Sequence, residues 1–429
     1  MGKTGGYMGT PRRAVMAWVL YDFADSAFAT VVATFVVATY FTQAVAPDPV
    51  TGAASWATMQ AIAGLLIALL AVPMGALADS GGRRAPMLAL CVAIMSLSTI
   101  ALWWVRPDPA YALLALVLVA AATVAFEIAT VFYNAMLPDL APPDRLGRLS
   151  MIGWGVGYLG GLACLVTALL LLVMPDPAPF GLDRAQAEHI RAAAVLSGLW
   201  VAAFAWPAAV FIPDRTDAQP WRATIRTSLI ELRTTLRDAI RNRNLLSLLV
   251  ARMLFMDGLV TLFAFGGIYA AGEFAFSAQD VLIFGIGLNI TAGLGVFAFA
   301  FIEDRIGAKT TVLASLTALV ALALPLLLVK DPAWFWALGL ALGLFVGPAQ
   351  AASRSLMAHM APPDARAAWF GLFALSGRVT AFLGPAALAL ATTTFQSQRA
   401  GMAVILILLA AGALALIPLR VEKKGVFFL

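Results

Sequence analysis

Charge is what this chain has least of. Only 12% of its 429 residues are Asp, Glu, Lys or Arg, against about a quarter in an ordinary soluble domain. A water-soluble globule of this length needs a charged shell, so a soluble enzyme is excluded. Cysteine is nearly absent. Cys91 and Cys164 both sit in apolar stretches, which excludes a disulfide scaffold and leaves buried thiols as the expectation. The two histidines, His189 and His359, are far apart in sequence. Neither has Cys or acidic neighbours at ligand spacing, so no metal site is expected. There is no Gly-x-x-x-x-Gly-Lys-Ser/Thr loop, no Ser nucleophile elbow and no His-x-Glu. An enzyme and a resident cofactor are therefore not expected.

What is present is apolar. Hydrophobic residues make up 62% of the chain, the composition of a polytopic helical membrane protein. The net charge of +5 follows from where the basic residues sit and does not mark a nucleic-acid binder. Lys3, Arg12 and Arg13 precede the first apolar run. Asp22 and Asp25 interrupt that run, and it continues to about Phe41, too long for a secretory signal. It is read as a first spanning helix.

A span needs about 20 mostly apolar residues. The sequence offers them at 14–45, 56–78, 86–105, 111–137, 149–174 and 192–212. A polar stretch intervenes before 245–271, 281–302, 310–329, 333–357, 367–393 and 402–419. The expectation is an all-α protein of twelve transmembrane helices: a six-helix bundle at 1–213, a linker at 214–244 and a second six-helix bundle at 245–429. With the N-terminus inside, 20 Lys and Arg fall in inner segments and 5 in outer ones. Both termini are predicted to be cytosolic, and the inner membrane of a cell is the predicted location. In the linker, Trp221, Ile225, Leu229, Leu232, Leu236 and Ile240 recur at helical spacing beside Arg222, Arg226, Arg233 and Arg237. A basic amphipathic helix over 219–243 is predicted to lie along anionic headgroups.

Two short segments recur. Ala141-Pro142-Pro143-Asp144 returns as Ala361-Pro362-Pro363-Asp364, and Asp79-Ser80-Gly81-Gly82-Arg83-Arg84 is echoed by Asp304-Arg305-Ile306-Gly307-Ala308-Lys309. Their offsets, 220 and 225 residues, place them in equivalent loops of two parallel six-helix repeats. The stretch Gly75-Ala76-Leu77-Ala78-Asp79 and its second-half partner resemble a loop of the major facilitator superfamily, with Ser80 where a basic residue is usual. The resemblance implies a latch between the bundles, built on Asp79, Arg83, Arg84, Asp304, Arg305 and Lys309. A carboxylate at a helix end can pair with Arg and with the first N–H groups of a neighbouring helix.

A narrower resemblance rests on Tyr21 to Phe28, Phe132 to Asp139, Gly153 to Gly161, Gly347 to Ser355 and Ala374 to Arg378. These blocks are similar to the vacuole-effluxer-like branch of that superfamily, autophagy-related amino-acid effluxers among them. One departure is Asp25, where the branch usually has Asn. The resemblance implies amino-acid release as a function.

Ionisable groups inside spans cost at least about 2.5–3.5 kcal/mol each and face cavities or partners. Asp22 and Asp25 share one helix face, and like charges so close make the pair a candidate proton carrier. Thr123, Glu127, Thr130 and Asn134 form one polar stripe on the fourth span, read as cavity lining. Asp257 and Thr261 form a shorter stripe, Gln350 and Arg354 share a face, and Arg378 needs a carboxylate, with Asp22, Asp25 or Asp257 as candidates. The superfamily lines its cavity with the first, fourth, seventh and tenth helices, which carry Asp22, Asp25, Glu127, Asp257 and Gln350. Gly153, Gly157 and Gly161 are read as close-packing positions, and Trp103, Trp104, Trp334 and Trp336 as interfacial anchors. The expectation is a monomeric secondary transporter of a small, amino-acid-like solute that works by alternating access. Asp25 or Glu127 would carry the coupling proton, and Arg378 would clamp the substrate. An exporter of drugs or peptides, a sugar-like importer and a non-transporting receptor are the alternatives.

Overall fold

The computed structural model describes residues 11–81, 83–214, 233, 237 and 240–420. Nearly all of the amphipathic segment expected at 219–243 lies outside them. Eleven of the described helices are long and apolar enough to cross a membrane. They are α1 (Arg12–Val45), α2 (Pro49–Ser80), α3 (Arg84–Trp104), α4 (Pro109–Leu140), α5 (Pro143–Val173), α6 (Glu188–Phe211), α7 (Arg243–Phe274), α8 (Ala278–Ile306), α9 (Ala308–Leu328), α10 (Pro332–Met360) and α12 (Gln398–Leu416). The remaining crossing, α11, is made of two pieces, Arg366–Ser376 and Leu383–Phe395.

Local chemistry sets the helix starts. Asp108 and Asp331 each accept an N–H two residues on, followed by Pro109 and Pro332 at the first helical position. That is the combination an exposed N-terminus favours. Ser277 and Asp280 form a capping box on α8. Between α1 and α2, the Thr51 hydroxyl and amide bond to Asp48 and hold its carboxyl below the usual range. The two Pro-Pro-Asp echoes each form one 3-10 turn feeding a helix, α5 in one half and α11 in the other.

The expected single span at 367–393 is broken at 377–382. Gly377 lies at the end of the first piece. Pro385, in the first turn of the second, has no N–H to give and crowds the carbonyl four residues back. Helix α1 is also irregular, widening into π turns at Phe28–Phe35 and Phe41–Val45.

Helices α1 to α6 pack as one bundle, with α1 against α5 and α6, and α3 against α4 and α6. In the second bundle α7 lies on α12, while α10 lies on α8 and α9. The bundles meet where α5 crosses α8 and α10, and where the first piece of α11 crosses α2 and α4. Backbones touch at the second crossing. A Cβ on Gly371 would stand 2.6 Å from the Ala71 carbonyl oxygen, and one on Gly75 would strike the Ala367 carbonyl. Away from these seams Leu65, Leu69, Leu97 and Leu294 are exposed, the apolar exterior of a polytopic membrane protein. Trp104 and Trp334 are exposed at helix ends, as anchors would be. The face where α1 begins and α12 ends is called the terminal face below.

Candidate functional site

The buried centre is built around Arg354. This α10 side chain crosses the seam into the first bundle and is 2% exposed. Its Nη1 lies 3.3 Å from Asp22 Oδ2 on α1 and donates to Asn134 Oδ1 on α4 at 3.4 Å. Its Nε donates to Ser150 Oγ at 2.9 Å and its Nη2 to the Ser150 carbonyl. Rings of Trp18, Trp154 and Tyr133 enclose the guanidinium, with centroids at 5.0, 4.9 and 5.6 Å, a cation–π cage. The Tyr133 hydroxyl donates to Asp22 Oδ2 at 2.7 Å. Trp18 stacks on Tyr133 at 4.4 Å and donates its indole N–H to the Tyr133 carbonyl. A buried ion pair needs this many partners to offset its desolvation.

Asp25 lies one turn from Asp22 and is 5% exposed. Among the described residues it has no cation within ion-pair distance, and Ser26 Oγ stands 3.5 Å from its Oδ1. Both carboxylates form the floor of a cavity of about 530 Å³, a volume suited to a small ligand. The cavity runs from this floor toward the face opposite the termini, between α1, α4, α5, α7, α8 and α10. Its walls are mostly apolar and aromatic, with Phe35, Phe126, Phe263, Phe284 and Phe335. Thr30, Thr34, Thr130 and Asn289 add polar points, and Ala29 to Phe35 come from the π-wound part of α1. Gly153 and Gly157 let α5 close on α1, where a Cβ would meet Asp22, Trp18 or Ser26 at 2.6 to 2.9 Å.

Of the residues predicted for the site, Asp22, Asp25 and Thr130 line this cavity. Glu127, Asn134, Asp257, Gln350 and Arg378 do not line it. Arg378 pairs with Glu127, not with Asp22, Asp25 or Asp257. The reason is competition. Arg354 already holds Asp22, Asp257 accepts the Gly384 N–H at 2.9 Å, and the break in α11 presents Arg378 to α4. The α4 stripe is thus largely spent between the bundles, and only Thr130 faces the cavity. Arg354 stood in the sequence as one of three arginines inside spans, beside Gln350. Its central place depends on α10 crossing α5 and α4, so that the side chain reaches Asp22 of α1, which spacing along one helix does not reveal.

The terminal side of the seam is closed by two matching locks. Asp79 Oδ1 pairs with Arg84 Nη2 at 2.7 Å, and its Oδ2 accepts the Ala368 N–H of α11 at 2.9 Å. Arg84 also reaches Asp139 at 3.0 Å, and Asp139 pairs with Arg366. In the other half Asp304 pairs with Arg148 Nε at 2.9 Å and accepts the Arg148 backbone N–H of α5 at 3.1 Å. Residues 148 and 368 are 220 apart, the spacing of the Pro-Pro-Asp echo. The two carboxylates therefore take the same N–H of equivalent helices, each reaching into the opposite bundle. Arg305 is exposed and has no ion pair among the described residues, and Lys309 donates to the Ile417 and Leu419 carbonyls. These two basic residues are not part of the lock. Their expected role falls to Arg148, because the lock reaches across the seam and not along its own loop.

Residues 44–426 match the family described as vacuole effluxer Atg22 like. The chain belongs to that family. The Atg22-like chain is similar to an uncharacterized MFS-type transporter, YxiO, of Bacillus subtilis (strain 168), with 25% identity over 409 residues and 94% of each chain covered. Autophagy-related protein 22-2 of Aspergillus clavatus is 23% identical over 288 residues, 61% of this chain and 46% of the fungal one. The chain thus spans about half the length of its fungal relatives. This Atg22-like protein is a major-facilitator-type transporter and not an enzyme. Solved structures share its fold. The proton:xylose symporter XylE has a TM-score of 0.69 at 11% identity, with 94% of each chain covered. A bacterial homologue of the iron transporter ferroportin in an outward-facing state has 0.68 at 12%, covering 95% of this chain and 98% of that one.

Proposed function

We propose that this Atg22-like transporter moves a small amine-bearing, amino-acid-like solute by alternating access, coupled to protons. The observation that carries this is the acidic floor: Asp22 and Asp25 lie at the bottom of a 530 Å³ cavity whose far side is sealed. A carboxylate there can hold either a proton or the cationic end of a solute, and that exclusion is sufficient for coupling. Asp22 is already paired with Arg354 and Glu127 with Arg378, which leaves Asp25 as the leading carrier. The terminal face is taken as cytosolic, in a cell's inner membrane, on the Lys and Arg bias. The locks then mark the outward-facing state, and the family description favours export.

The test is flux of labelled amino acids in proteoliposomes under an imposed pH gradient. Wild type should respond to the gradient. Asp22→Asn and Asp25→Asn should each lose that response, and Glu127→Gln should keep most of it. A gradient response unchanged in both Asp variants would sink the coupling. The aromatic walls also favour a second reading, an exporter of larger amphipathic compounds, which the same vesicles would test with apolar cations.

A further inference from the structure

We propose that the cavity reads a protonated amine at Asp25 and an apolar body along its walls, and leaves a ligand's carboxylate without a cationic partner. The inference rests on the cavity being the transport site and goes on to which end of the solute is recognised. The first observation is the state of the floor. Asp25 is 95% buried, faces the cavity and, among the described residues, draws only on its neighbour Ser26. A buried carboxylate of this kind lacks a cationic donor.

The second observation concerns the cations. Arg354 is the one charged donor among the described residues that line the cavity. It is already bound to Asp22, Asn134 and twice to Ser150, and three rings enclose it. Arg378, the fork expected to clamp a carboxylate, is off the cavity and tied to Glu127.

The third is the direction of the wall hydrogen bonds. Thr34 donates to Ala29 O, Thr130 to Phe126 O, Asn289 Nδ2 to Gly285 O and the Tyr133 hydroxyl to Asp22. Thr34, Thr130 and Tyr133 have each spent their one O–H on the protein, which leaves oxygen acceptors for the cavity, while Asn289 keeps its carbonyl oxygen and one neutral amide N–H. Acceptors, a lone carboxylate and aromatic faces all favour an ammonium group. A carboxylate beside that ammonium would sit near Asp22 and Asp25 with no free cation to meet it.

The experiment is calorimetry on the purified full-length protein, without a gradient, using 2-phenylethylamine, phenylalanine amide, phenylalanine and 3-phenylpropionate. The amine and the amide should bind at least about tenfold more tightly than phenylalanine, as expected when one unpaired like charge is removed from a buried site. The propionate should not bind, and Asp25→Asn should abolish amine binding. Phenylalanine binding as tightly as its amide, propionate competing with the amine, or no binding by any of the four overturns the proposal. So does full amine affinity in a folded Asp25→Asn. Binding in this order with no flux in vesicles would instead count against transport alone, so the two failures are distinguishable.

Discussion

Two arginines inside spans have opposite standing. Arg354 is enclosed by protein, and removing it strips Asp22 of its cation in a buried site, which costs about 3–5 kcal/mol when a buried pair is broken. Arg378 has a side chain 38% exposed, so its pair with Glu127 is screened and contributes about 0–1 kcal/mol. Arg354→Ala is therefore expected to lower the melting temperature in detergent far more than Arg378→Ala. Equal losses would show that the central pair is not the keystone. The sequence ranked them the other way, because depth along a helix was the only measure of burial available. Depth says how far a residue is from water along the membrane normal, and nothing of which side chains surround it. The Asp22 and Asp25 pair was legible because two acids one turn apart in an apolar run need no partner information to stand out.

At the scale of elements, α11 is held apart by α7. Arg252 donates to the Phe373 carbonyl at 2.6 Å and to Ser376 Oγ at 3.3 Å, at the C-terminal end of the first piece. Asp257, five residues on, accepts the Gly384 N–H at the start of the second. A cation at a helix C-terminus and an anion at an N-terminus complement both half-helix dipoles. Asp257→Ala removes the second cap and is expected to cost about 1–2 kcal/mol. It should also speed amide hydrogen exchange in 383–386 relative to 366–376. Equal exchange in both pieces would mean that Pro385 alone sets the break. Gly377 and Pro385 were visible in the sequence, yet the hydropathy of 367–393 is continuous across them, and a span counted by apolar length passes over a break. The six-plus-six count was legible because it depends on local pattern alone.

On the proposed alternating-access reading, the whole molecule is a balance between two arrangements of its bundles, and the locks weight one of them. Asp79 and Asp304 each accept from a backbone N–H of the opposite bundle a charge-assisted hydrogen bond that disappears when the terminal side opens. Such bonds contribute about 1.5–3 kcal/mol. Ser80, where a basic residue is usual, would predict a weak first lock. Arg84 takes the missing role and extends it through Asp139 to Arg366, so the first lock is the larger network. The duplication itself was legible from the two sequence echoes. Arg84 was legible beside Asp79 in its own loop, whereas Arg148 was not, because it comes from the opposite repeat. The locks share no residue, so their effects on the bundle equilibrium should add in free energy. Asp79→Asn and Asp304→Asn should each shift the population toward the state open on the terminal face. The double variant should show the product of the two shifts. Spin labels at the terminal ends of α2 and α11 would read it as growth of a longer-distance population. A double variant no more open than the stronger single one would mean that one lock fails as soon as the other does, making the gate a single cooperative unit.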